Sequence, residues 1–129
     1  MQEKMFKEKY HIFEIEYKKE EIKYKNVDEI ISFLEEKVKK HPIISFISIF
    51  DHYTHTKSLE NSVISENIID AKNIIFCFGL EIPTPEVLAV RPRSIGVCET
   101  KDSFVINFLV APNETANDTM KSFIKEIKG

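Results

Sequence analysis

The chain carries 18 lysines and arginines, and only two are arginine: Arg91 and Arg93, on either side of Pro92. A guanidinium is flat, always charged, and grips a carboxylate or phosphate through two parallel bonds, whereas an ammonium is a point charge. Pro92 fixes φ between them. The cluster predicts either recognition of an anion or a structural ion pair. Glu81, Glu86 and Glu99 are the carboxylates that could complete such a pair.

A second constellation is Asp51-His52-Tyr53-Thr54-His55, followed by Lys57. If a helix starts here, Asp51 and His55 lie four apart on one face. Imidazole and carboxylate could join Cys77 or Cys98 as ligands of a metal. Alternatively, Asp51 is a helix cap and the histidines are surface residues. No complete ligand set shows a diagnostic spacing, so no metal is assigned. Should the two loops meet, His52, His55, Lys57, Arg91 and Arg93 would make one positive, ligand-binding pocket.

Paired carboxylates among Glu81, Glu86 and Glu99 could do acid–base work, but nothing in the chain fixes their separation. There is no phosphate loop, dinucleotide fingerprint, Cys-x-x-Cys pair or nucleophile elbow. No residue is therefore assigned as catalytic, and no cofactor is expected.

The elements that must hold these residues fit within 129 residues, the usual length of one domain. Hydrophobic residues make up 43%, with ten phenylalanines, enough for a real core. The net charge of −3 and the lack of a basic block argue against a nucleic-acid binder. No apolar run reaches the roughly 20 residues needed to span a bilayer. The Lys- and Glu-rich start, Met1 to Tyr10, lacks the apolar stretch of a secretion signal. A cytoplasmic location is expected, with both cysteines reduced. Residues 1–9 read as a loosely ordered, solvated edge.

Strand patterning begins at Tyr10 to Lys18, with Phe13, Ile15 and Tyr17 toward the core. Asn26 and Glu29 have the spacing of a helix cap and its partner, and Val27, Ile30, Ile31, Leu34 and Val38 form one helical stripe. Pro42 ends that helix. Ile43 to Phe50 is apolar on both faces and reads as a strand covered on both sides. Ile64, Ile68 and Ala71 fit a short helix. Asn73 to Phe78 is a buried strand, and Thr84-Pro85-Glu86 opens a short helix. Ser94–Glu99 and Ser103–Val110 form a hairpin around Lys101-Asp102. Asn113 caps a last helix with the stripe Ala116, Met120, Phe123, Ile124 and Ile127.

The predicted fold is α+β, ordered β-α-β4-α, with two main helices on one face of an antiparallel sheet. Hairpin parity sets Glu99 opposite Phe104 and Val97 opposite Ile106. Arg93 shares the parity of Ile95 and Val97, so it should be the more buried arginine, paired with a carboxylate, with Arg91 as the ligand contact. The opposite face carries Ser94, Gly96 and Cys98, small enough to let another surface approach closely. A sheet face with isoleucine and phenylalanine calls for a cover, either a second subunit or the segment Asp51–Ala71.

Phe50-Asp51-His52, the run Ile74 to Gly79, the Thr84-Pro85 helix through Ala89, and the hairpin Ser94 to Phe108 together resemble segments of an uncharacterised bacterial family, the domain of unknown function three-oh-two. The resemblance implies a β-α-β4-α fold similar to one half of the TATA-binding-protein architecture, and it implies no activity. A smaller uncharacterised family sharing that fold is the alternative. Taken together, the sequence reads as a small, homodimeric domain that binds a small anionic ligand or a protein partner. The competing readings are an enzyme using His52 or His55 with Arg91 or Arg93, and a metal-binding or redox-sensing protein.

Overall fold

The computed structural model describes all 129 residues. It is α+β: six antiparallel strands with helices packed against them. The strands are β1 (Gln2–Phe6), β2 (Tyr10–Lys18), β3 (Ile44–Phe50), β4 (Ile68–Phe78), β5 (Arg93–Thr100) and β6 (Ser103–Leu109). Their order across the sheet is β1-β2-β6-β5-β4-β3. The helices are α1 (Val27–Lys40), α2 (His52–Lys57) and α3 (Glu114–Lys125), and a 3-10 helix covers Pro85–Val90.

α1 starts where its cap dictates. The Asn26 side chain accepts the N–H of Glu29 at 2.9 Å. The Glu29 carboxylate reaches back to the N–H of Lys25, one residue beyond the cap itself. One first-turn donor that no helix carbonyl could take is thereby satisfied, together with the N–H just before the cap. The stripe Val27, Ile30, Ile31, Leu34 and Val38 is buried. α3 repeats the design, with Asn113 accepting from Ala116 and Met120, Phe123 and Ile124 turned inward. Both stripes join Phe13, Tyr17, Ile74, Phe76, Ile95, Val97, Phe104 and Ile106 in one core of 22 buried side chains. Tyr17 ties sheet to helix, its hydroxyl donating to the carbonyl of Ile124 at 2.7 Å.

The β5–β6 hairpin has the register expected for a two-residue turn, with Glu99 opposite Phe104 and Val97 opposite Ile106. Three features depart from the sequence reading. Gln2–Phe6, expected to be a loose edge, forms β1 and adds a sixth strand, with Phe6 opposite Tyr10. The turn between them sets Lys7 and Glu8 at φ of 52° and 60°, a conformation that glycine or asparagine usually supplies. The helix expected over Ile64 to Ala71 is absent. The helix after β3 instead begins at His52, and Ile68 to Ala71 already belong to β4. Finally, β3 is an edge strand rather than a covered one: Ile47, Ile49 and Phe50 are 50%, 36% and 38% exposed. A bulge between Phe46 and Ser48 breaks its alternation and turns Ile47 outward.

On the face away from the long helices, one rung crosses the sheet through Glu14, Asn107, Gly96 and Asn73. A Cβ on Gly96 would come within 3.1 Å of the Asn107 Oδ1 and 3.4 Å of the Asn73 Nδ2. The glycine thus makes room for two amides of its own sheet. Asn107 passes the contact on, donating to Glu14 at 3.2 Å, and Lys4 pairs with the same carboxylate at 2.5 Å.

Candidate functional site

Arg93 opens β5 on the helix-facing side and is only 9% exposed. Its Nη1 donates to the carbonyl of Val90 at 3.0 Å, and its Nη2 donates to the carbonyl of Leu109 at the end of β6. Its Nε is buried and has no hydrogen-bond partner. The carboxylate expected beside it is missing. No aspartate or glutamate oxygen lies within ion-pair distance of either guanidinium. Glu99, at the far end of β5, is taken by Lys19 at 2.7 Å. Burial holds the Arg93 guanidinium below its ordinary pKa, and no counter-charge offsets it. An arginine starts so high that it remains a cation at neutral pH. Two backbone carbonyls solvate it in place of water, and the charge itself is unpaired.

Arg91 is half-buried, and its Nη1 donates to the carbonyl of Glu81 at 2.8 Å. That bond ties together the two ends of the connection between β4 and β5. The peptide bond between Arg91 and Pro92 is cis. Both arginines line a cavity of about 360 Å³, bounded by the end of β4, the 3-10 helix and the start of α3. Its walls are mainly apolar, with Phe78, Leu80, Val87 and Ala116 among them, and Glu81 stands at the lining too. Asn113 and Thr115, at the positive end of α3, complete it. Asn117 fixes that side: its buried amide donates to the carbonyl of Ala111 at 2.9 Å and accepts the N–H of Ala111 at 2.7 Å. Ala111 is a wall of the cavity. Sequence reading missed Asn117, although an asparagine on an otherwise apolar helix face, between Ala116 and Met120, is the signal that could have revealed it.

His52, His55 and Lys57 lie elsewhere. They sit on α2, beyond Phe50, while the arginine cavity lies at the other end of β3, beside Ile43. Their part of the chain follows from Asp51, whose carboxylate caps α2 by accepting the Thr54 N–H at 3.0 Å and the Thr54 hydroxyl at 2.9 Å. Those bonds hold the Asp51 carboxyl below its usual range. Both imidazoles pack on the Phe50 ring, with centroids 5.3 and 5.5 Å away, and the Lys57 Nζ lies 5.7 Å from the Tyr53 ring. Nowhere do three histidine, cysteine, aspartate or glutamate side chains converge as a ligand set. Cys77 and Cys98 are both free thiols. Cys98 stands opposite Ala71, six residues along β4 from Cys77, a separation of about 20 Å at strand rise. Burial pushes the Cys98 thiol up, away from the reactive thiolate.

Fold and cavity define an α+β protein that keeps a buried, uncompensated guanidinium at one end of its sheet. Over its full length, residues 1–129, the chain matches the model of a family of unknown function, DUF6858, and it belongs to that family. The family is an uncharacterised one, as the motif resemblance implies, but membership in the three-oh-two family does not follow from the match. No curated protein matches the chain. No helix is long and apolar enough to cross a membrane.

Proposed function

We propose that this protein is a single-domain, cytoplasmic, non-catalytic binder of a small anion, held in the cavity of Arg91 and Arg93. The observation that carries the reading is Arg93. A buried cation costs several kcal/mol unless a partner offsets it, and this one has no carboxylate. An anion in the adjoining cavity would supply the missing charge, with the first turn of α3 adding its positive end. Titration with acetate and with inorganic phosphate, against chloride as the ionic-strength control, tests this. At least one should bind with a Kd of millimolar order and move the amide resonances of Val90, Arg91, Ala111 and Thr115. If neither anion, nor any longer carboxylate, moves them, the anion reading is lost.

We further propose that the protein is a homodimer joined along β3. The two edges of the sheet differ. β1 carries Gln2, Glu3 and Lys4, the kind of charged edge that deters strand addition. β3 has no charge and no proline from Ile44 to Phe50, and it exposes Ile47, Ile49 and Phe50. An antiparallel strand paired across a two-fold axis satisfies its own edge. Sedimentation at micromolar concentration should give a dimer, and Ile47→Lys should give a folded monomer. A monomeric parent protein would refute the edge pairing.

A further inference from the structure

We infer that the ligand of the Arg91–Arg93 cavity is a monocarboxylate with an apolar body of several carbons, its carboxylate at Arg93 and its body along Leu80, Val87 and Phe78. The inference rests on the anion reading above and narrows it.

The donor count at Arg93 fits a carboxylate. A guanidinium has five N–H donors, and Arg93 spends two, on the carbonyls of Val90 and Leu109. Its Nε–H is unpaired but sealed from solvent, so a ligand would meet the second N–H of Nη1 and of Nη2. A carboxylate needs two parallel donors, which a guanidinium supplies from one side. A backbone donor stands nearby: Thr115 lines the cavity, and its N–H belongs to the first turn of α3, where no helix carbonyl can accept it.

The same walls fit a phosphate poorly. Phosphate sites usually present a run of backbone N–H groups in a glycine-rich loop or nest. Here Pro83 and Pro112 stand at the lining and have no N–H to give. Glu81 is among the lining residues, and its negative charge disfavours a second negative charge on the ligand.

The remaining surface is apolar, and it needs a reason if only a hydrated ion were bound. Leu80 is 75% exposed and Val90 36% exposed, yet both turn part of their surface to the cavity. An apolar body would bury that surface. At about 360 Å³ the cavity sits at the small end of ligand pockets, which favours a short chain or a single ring over a long acyl chain.

Calorimetric titration of the intact protein with hexanoate, acetate, hexanamide and inorganic phosphate tests the inference. Hexanoate should bind at least about tenfold tighter than acetate, because each added methylene buried favours binding severalfold. Hexanamide has the same shape without the charge and should bind at least about tenfold more weakly than hexanoate. Val87→Trp, which fills the cavity from the 3-10 helix, should abolish hexanoate binding while the far-ultraviolet spectrum stays that of the parent. Equal affinity for acetate and hexanoate, or tighter binding of phosphate, would overturn the apolar carboxylate and leave the anion reading standing. Equal affinity for hexanamide and hexanoate would overturn both, since the charge would then play no part. Unchanged hexanoate binding in Val87→Trp would move the ligand out of this cavity.

Discussion

Asn117→Ala lowers the unfolding free energy by about 3 kcal/mol. The side chain is 1% exposed and makes two hydrogen bonds to one residue, donating to the carbonyl of Ala111 and accepting its N–H. Ala111 is itself buried, 7% exposed, so neither of its groups has ready access to water. Alanine leaves both unpaired. Each orphaned group costs roughly 1–3 kcal/mol, and the lost amide leaves a small void besides. For a chain of this length, about 3 kcal/mol corresponds to a fall in Tm of roughly 10 °C. Urea unfolding of both proteins gives the difference directly. A loss below about 1 kcal/mol would mean that water enters and replaces the amide. The variant should also bind hexanoate more weakly, because Ala111 is a wall of the cavity that Asn117 holds in place.

Local chemistry made much of the fold legible. Asn26 and Asn113 each cap the helix they were expected to cap. The stripes of α1 and α3 are buried as their spacing requires. Lys101-Asp102 set the register of the last hairpin. The misses have equally local causes. β1 was hidden because its turn, Lys7-Glu8, takes positive φ without glycine or asparagine to announce it. Its residues Gln2, Glu3 and Lys4 look like a solvated tail. The start of β4 was hidden by the irregularity between Ile68 and Asp70, which destroys the alternation that identifies a strand. β3 was expected to be covered on both faces because apolar parity cannot distinguish a covered strand from an exposed apolar strand at the sheet edge; its place in the sheet and the exposure of Ile47, Ile49 and Phe50 do.

The candidate site was half legible. Rarity and spacing singled out Arg91 and Arg93, and the parity of Arg93 with Ile95 and Val97 anticipated its burial. Its partners could not be read, because they are backbone carbonyls, one of them 16 residues away in sequence. Backbone groups carry no signature of residue type. Of the carboxylates that seemed available, Glu99 is spent on Lys19, and neither Glu81 nor Glu86 comes within ion-pair distance of a guanidinium. Whether the histidines join the arginines depends on the span of β3, which sets α2 and the cavity at opposite ends.

Arg93→Lys lowers stability by about 2 kcal/mol at neutral pH, and that deficit shrinks as the pH rises. An ammonium keeps the charge but has no planar fork to bridge the carbonyls of Val90 and Leu109, so one of the two charge-assisted bonds is lost. The pH dependence follows from burial. The site already holds the arginine below its ordinary pKa by desolvation. A lysine in the same surroundings would likewise be depressed in the folded state below the value of about 10.4 that it keeps unfolded. Between those two values the unfolded chain binds more protons than the folded one, so unfolding becomes harder as pH increases. The gain reaches about 1.4 kcal/mol per unit of depression once the pH has passed the unfolded value. Parent and variant share every other titrating group, so the difference between them isolates this one. Chemical unfolding of both proteins from neutral pH to about pH 10 measures it. A deficit that stays constant with pH would show that the ammonium reaches water, so that position 93 is open to solvent and its charge needs no ligand to offset it. No deficit at any pH would show that the two carbonyl bonds of Arg93 contribute nothing to the fold.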